Sequence, residues 1–64
     1  MKNHVRELRV ECGLTQSGLA DLLGVSRQSI NAIETGRYDP SLPLAFAIAK
    51  VFKTNIEALF SDEQ

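Results

Sequence analysis

Thr15-Gln16-Ser17-Gly18-Leu19-Ala20-Asp21-Leu22-Leu23-Gly24-Val25-Ser26-Arg27-Gln28-Ser29-Ile30-Asn31-Ala32-Ile33-Glu34-Thr35-Gly36 is the stretch that decides the fold of this 64-residue chain. Thr15 stands where its hydroxyl can accept from an amide at the start of a helix, and Leu19, Ala20 and Leu23 recur at helical spacing behind it. A helix over Gln16–Leu23 follows. Gly24 and Val25 break it, and Ser26 offers the same kind of cap to a second helix running from Arg27 to about Thr35. Ile30 and Ile33 face inward from that helix, and Gly36 closes it. Arg27, Gln28 and Asn31 then lie at i, i+1 and i+4 on the opposite side, a polar face near the helix start.

Outward from this core motif, every segment reads as helix or turn, because apolar residues recur at three and four and no sustained alternation suggests a strand. A first helix is expected from about Asn3 to Cys12, with Val5, Leu8 and Cys12 on one face, ended by Gly13. Arg37-Tyr38-Asp39-Pro40 is a loop, since proline disfavours helix at the residue before it. Ser41 caps a fourth helix over Leu42–Phe52, with Pro43 tolerated in the first turn and Leu44, Ala45, Ile48, Ala49 and Phe52 inside. Asn55 caps a short fifth helix, Ile56–Phe60, and Ser61-Asp62-Glu63-Gln64 is expected to fray. The expectation is a compact all-α, five-helix fold in a single domain, residues 1–64, with its motif at 16–36.

Composition narrows the function. A chain this short buries only about 60% of its unfolded surface and cannot be divided into two cores. Hydrophobic residues make up 44% and aromatics 6%, with no Trp, so the core must be aliphatic. The single Cys12 forbids an internal disulfide, and with only His4 beside it a structural zinc site has too few ligands. No metal and no cofactor are expected. His4 reads as a surface residue and Cys12 as a small core residue. No apolar run approaches the roughly 20 residues of a membrane helix, and the opening residues lack a signal-peptide apolar stretch, so a cytoplasmic location is the default expectation. Net charge is -1 and the pI about 5.7, against the basic balance usual for nucleic-acid binders. The distribution is dipolar: Lys2, Arg6, Arg9, Arg27 and Arg37 outnumber Glu7, Glu11, Asp21 and Glu34 through residue 37. Beyond it Asp39, Glu57, Asp62 and Glu63 outnumber Lys50 and Lys53. The motif sits at the positive end.

The run from Leu14 to Pro40, continuing into Ser41-Leu42-Pro43-Leu44-Ala45, closely resembles the phage-repressor-like (Cro/XRE-type) helix-turn-helix family, and the likeness extends from about Val5 to Phe60. The resemblance implies a sequence-specific regulator of transcription, of the repressor kind, whose second motif helix enters the major groove of double-stranded DNA. It places Arg27, Gln28 and Asn31 on base edges, where Arg bridges guanine O6 and N7 and Gln bridges adenine N6 and N7, with service to the sugar-phosphate edge the alternative for Asn31. It places Gln16 on the phosphate backbone, consistent with the positive start of its helix. Arg37 is expected on a phosphate beyond the groove, and Tyr38 either there or over the core. Ser26 is explained as a cap and Ser29 reaches a phosphate or nothing, so both are backbone candidates only. Ala32 either touches a thymine methyl or makes no contact. The family also carries an Arg-Glu pair at Arg9 and Glu34, which implies a structural ion pair and not a DNA contact.

Two other functional classes compete with this reading. No nucleophile with its base, paired carboxylates or phosphate-cradling glycine loop argues for an enzyme, and no site for a small-molecule ligand is evident. An antitoxin or adaptor, binding mainly a partner protein, is the alternative function, since Phe46, Val51 and Phe60 are apolar residues of the carboxyl-terminal half. The same residues, within 42–60, are the expected surface of an isologous homodimer on an inverted-repeat operator. Packing of Phe46 and Val51 under the Tyr38–Leu42 loop is the competing explanation.

Overall fold

The computed structural model describes residues 1–61, in the order β1 (Lys2–Asn3), α1 (Val5–Glu11), α2 (Gln16–Leu23), α3 (Arg27–Glu34), α4 (Leu42–Val51), α5 (Ile56–Leu59) and β2 (Phe60–Ser61). Four helices start on the side-chain caps expected of them. Thr15 Oγ1 accepts from Gly18 N at 2.9 Å, Ser26 Oγ from Ser29 N at 3.1 Å, Ser41 Oγ from Leu44 N at 3.2 Å and Asn55 Oδ1 from Ala58 N at 2.8 Å. Each bond satisfies an amide that the helix itself leaves without an acceptor.

The ends are equally regular. Past α2, Gly24 N–H donates to Asp21 O and Val25 N–H to Ala20 O, with Gly24 left-handed at φ 70°. This is the double bond pattern that turns a chain sharply off a helix. The same pattern closes α4 at Lys53, where the N–H groups of Lys53 and Thr54 donate to Lys50 O and Ala49 O. There a lysine holds φ 54°, a conformation that crowds its Cβ.

The core gathers one or more residues from every helix: Val5, Leu19, Ala20, Ile30, Ile33, Ile48, Ala49 and Leu59 are buried together. Leu8, Leu23, Leu44 and Phe52 pack partly buried against them, as their helical spacing required.

The chain ends depart from the expectation. Asn3 is not in α1. Lys2 pairs with Ser61 and Asn3 with Phe60 in a two-stranded antiparallel sheet, and His4 N–H donates to Leu59 O at 2.8 Å. Phe60 accordingly leaves α5 for β2, and Ser61 is strand rather than tail; the remainder of the expected tail, 62–64, lies outside the described residues. Two-residue strands carry no legible alternation, and these form only because the folded core brings the ends side by side. Asn3 does more than pair. Its Oδ1 accepts from Val5 N at 3.1 Å, and its Nδ2 donates to Ile33 O at 2.8 Å at the end of α3. Cys12 is also misplaced by the sequence: it forms the carboxyl-terminal cap of α1 and carries an exposed free thiol rather than a core side chain.

Candidate nucleic-acid interface

Helix α3 has two chemically distinct faces. Ile30 and Ile33 are 0% and 1% exposed, fixing the helix to the core, while Arg27, Gln28 and Asn31 are exposed on the other side. The tight exit from α2 leaves only Gly24, Val25 and Ser26 between the two helices, and Val25 packs on the core. The polar face is thus presented from a fixed frame.

Arg9 and Glu34 form the ion pair that holds this frame to α1. Arg9 Nε donates to Glu34 Oε2 at 2.6 Å and Nη2 to Oε1 at 3.3 Å, while Nη1 donates to Leu14 O at 2.8 Å. Their side chains are 12% and 3% exposed, so the pair is largely removed from solvent. A two-toothed guanidinium–carboxylate contact of this kind fixes direction as well as distance.

Gln16 joins the same carboxylate. Its Nε2 donates to Glu34 Oε1 at 3.0 Å and to Asn31 Oδ1 at 3.3 Å. The sequence marks Gln16 for a phosphate, yet both hydrogens of its side-chain amide have protein acceptors. The first turn of α2 still offers the backbone N–H groups of Gln16 and Ser17, since Thr15 caps only Gly18. Sequence spacing gave no sign of the Gln16–Glu34 and Gln16–Asn31 bonds, because these partners stand 18 and 15 residues apart on different helices.

The remaining candidates sort by exposure. Ser26 Oγ, besides capping α3, lies 3.0 Å from Ser29 Oγ, and Ser29 is half-buried. Ala32 is half-buried and its carbonyl accepts from the N–H groups of Arg37 and Tyr38, which ties the following loop to the end of α3. Arg37 is exposed, and Tyr38 is 47% exposed, so it is not a lid on the core. In the other half, Phe46 is 52% exposed, whereas Val51 and Phe60 pack partly buried against the core of their own chain. Glu7, exposed on α1 away from the motif, has its carboxyl held below the usual range, chiefly by a side-chain hydrogen bond with His4 at 3.2 Å.

Among the described residues no cluster of His, Cys, Asp and Glu is suited to a metal ion, and no helix is long and apolar enough to cross a membrane.

A short capped helix held against its predecessor by a glycine turn, with one face in the core and a polar face outward, is the geometry of a helix-turn-helix protein. A family model described as helix-turn-helix matches residues 5–59, and the chain belongs to that family. It is 58% identical over 60 residues to an HTH-type transcriptional regulator of Methanocaldococcus jannaschii, covering 94% of this chain and 91% of that protein. An HTH-type transcriptional regulator of Bacillus subtilis, YgzD, is 48% identical with 94% and 91% covered. Among solved structures, the restriction-modification controller protein C.AhdI from Aeromonas hydrophila superposes with a TM-score of 0.78 at 34% identity, over 88% of this chain and 85% of that one. The fold and the resemblance to Cro/XRE-type regulators expected from sequence both hold, the small terminal sheet aside: the chain is a DNA-binding transcriptional regulator.

Proposed function

We propose that the chain acts in the cytoplasm as a single DNA-binding domain and a repressor, binding an inverted-repeat operator as a homodimer, with Arg27, Gln28 and Asn31 on base edges in the major groove. The observation that carries this reading is the exposed polar start of α3 opposite the buried Ile30 and Ile33. Arg37, Tyr38 and the first-turn amides of α2 supply backbone contacts around it, with Ser26 and Ser29 beside them. The phage CTXphi protein RstR of Vibrio cholerae, named a transcriptional repressor, is 35% identical over 94% of this chain and supports the sign of regulation. The role is binding and not catalysis.

Dimerisation answers a problem of charge. One domain at net -1 has few phosphate partners, and a symmetric pair doubles both the contacts and the sequence read. The surface centres on α4, where Leu42 and Phe46, one turn apart, are 63% and 52% exposed. Val51 and Phe60 support it from behind, being packed on the core.

Selection of bound fragments from a randomised DNA library tests the reading: an inverted repeat is expected, with binding that falls steeply with salt. Arg27→Ala and Gln28→Ala should each lose about 1–3 kcal/mol of discrimination at one base pair per half-site. Their melting temperatures should stay those of the parent. Parent-like sequence preference in both variants would reject α3 as the reader. Sedimentation at micromolar concentration is expected to show a dimer, and Phe46→Glu a monomer.

A further inference from the structure

Asn3 ties the end of α3 to the carboxyl-terminal strand. Its Nδ2 donates to Ile33 O at 2.8 Å and its Oδ1 accepts from Val5 N at 3.1 Å, while its backbone pairs with Phe60 in the terminal sheet. A carbonyl only accepts and a backbone N–H only donates, so these two partners fix which end of the Asn3 amide faces which. The next residue continues the tie, His4 N–H donating to Leu59 O at 2.8 Å at the end of α5. Ile33 O belongs to the last turn of α3, where carbonyls lack a regular helical donor, and Asn3 reaches it from 30 residues away.

The tie spans the two surfaces on which the proposed function depends. α3 packs chiefly on α2 and α1, whereas α5 packs on α4 and β2. Ile30 and Ile33 meet Ile48 and Leu59 in the common core, but apolar burial is non-directional, whereas a hydrogen bond fixes direction. Phe60, the strand partner of Asn3, lines one cleft with Leu42, an exposed residue of the proposed dimer surface. We infer that Asn3 is a positioning residue for operator recognition, which locks the end of α3 to the strand behind the dimer surface and thereby fixes the half-site spacing that the symmetric pair accepts. In an isologous dimer the separation and angle of the two reading helices are set by how each is held relative to the two-fold surface. One base pair more or less between half-sites shifts one of them by about 3.4 Å and turns it by about 34°. A firmly tied helix resists that displacement, and a loosened one follows it. The inference rests on α3 being the DNA reader and on the homodimer.

The experiment is competition binding to inverted-repeat operators built from the half-site that library selection returns, at the selected spacing and at one base pair more or less. The parent is compared with Asn3→Ala and Asn3→Asp, each verified as folded by its thermal melt and as dimeric by sedimentation. Aspartate separates the two side-chain bonds, since its carboxylate still accepts from Val5 N but has no hydrogen to give Ile33 O. Ile48→Val, a core truncation that leaves both bonds in place, controls for lost stability. The parent is expected to bind the selected spacing most tightly. In both Asn3 variants the discrimination against misspaced operators should shrink by on the order of fivefold, the scale of one lost hydrogen bond. Base preference within a half-site should stay unchanged, and Ile48→Val should discriminate as the parent does. Parent-like discrimination in both Asn3 variants would overturn the inference. Relaxed spacing in Asn3→Ala but not in Asn3→Asp would assign the effect to the bond with Val5 and refute the tie to α3. Equal relaxation in Ile48→Val would refute it too, as would a changed base preference within the half-site. If the parent discriminates and the Asn3 variants do so equally, the tie alone fails; if the parent itself shows no preferred spacing, the homodimer reading fails with it.

Discussion

The segment from Gln16 to Glu34 and the meeting of the chain ends at Lys2–Asn3 and Phe60–Ser61 are held by opposite means. In the first, the caps bond residues three apart, Thr15 with Gly18 and Ser26 with Ser29, so each helix start is fixed by its own neighbours. In the second, Asn3 reaches Ile33, 30 residues away, and pairs with Phe60 at the far end of the chain. Local bonds form at little cost in chain entropy, whereas joining distant residues must first close a long loop. The presented helix is therefore defined locally, whereas the ends are tied down by long-range contacts, at the carboxyl-terminal end of α3. The proposed recognition surface is built on the part that needs least from the rest of the molecule, with one exception: the Arg9–Glu34–Gln16 network that crosses between α1, α2 and α3.

That exception supplies the largest expected effect. Glu34→Ala leaves the guanidinium of Arg9 enclosed without its carboxylate, and should cost about 3–5 kcal/mol if the site stays dry. For a chain of this size that lowers the melting temperature by more than about 10 °C. An unchanged melt would show that the motif stands without its anchor to α1. Replacing both partners together, Arg9→Met with Glu34→Leu, should recover most of the loss, because the penalty comes from the unpaired charge.

Leu19 and Leu59 compare the two regions directly. Both side chains are 0% exposed, one in α2 and one in α5 beside the terminal sheet. Each truncation to alanine should cost about 2–5 kcal/mol in chemical denaturation. A cost below about 1 kcal/mol for Leu59→Ala alone would make the chain ends an accessory to the core and not a part of it.

Asn3→Ala removes two side-chain bonds at once, to Val5 N and Ile33 O, and should cost about 1–2 kcal/mol, with faster amide exchange at the end of α3. The smallest effect has the opposite sign. Lys53 holds a left-handed backbone, and Lys53→Gly should raise stability by about 0.5–1 kcal/mol, read as an increase of a few degrees in melting temperature. No gain would mean that the unfolded chain's added freedom offsets the relieved crowding.

The limits of α2 and α3, their capping hydroxyls, the inward Ile30 and Ile33 and the outward Arg27, Gln28 and Asn31 were all legible in the sequence. Each is a relation among residues one to four apart, and the helical repeat converts such spacing into direction. Arg9 and Glu34 were legible only through family resemblance, since nothing in their own neighbourhoods pairs them. Other features followed from how the elements came to rest on one another. Asn3 left the expected helix because Phe60 was there to pair with it. Val51 and Phe60 turned partly inward because α4 and α5 lean on a common core.

The presented helix was written in the chain, while the hydrogen-bonding ends of Gln16 and Asn31 that face one another were not. Their orientation is set by a carboxylate that arrives from another turn of α3 and by a guanidinium from α1. A sequence encodes the periodicity of each helix, but the distance between two helices exists only once both are packed.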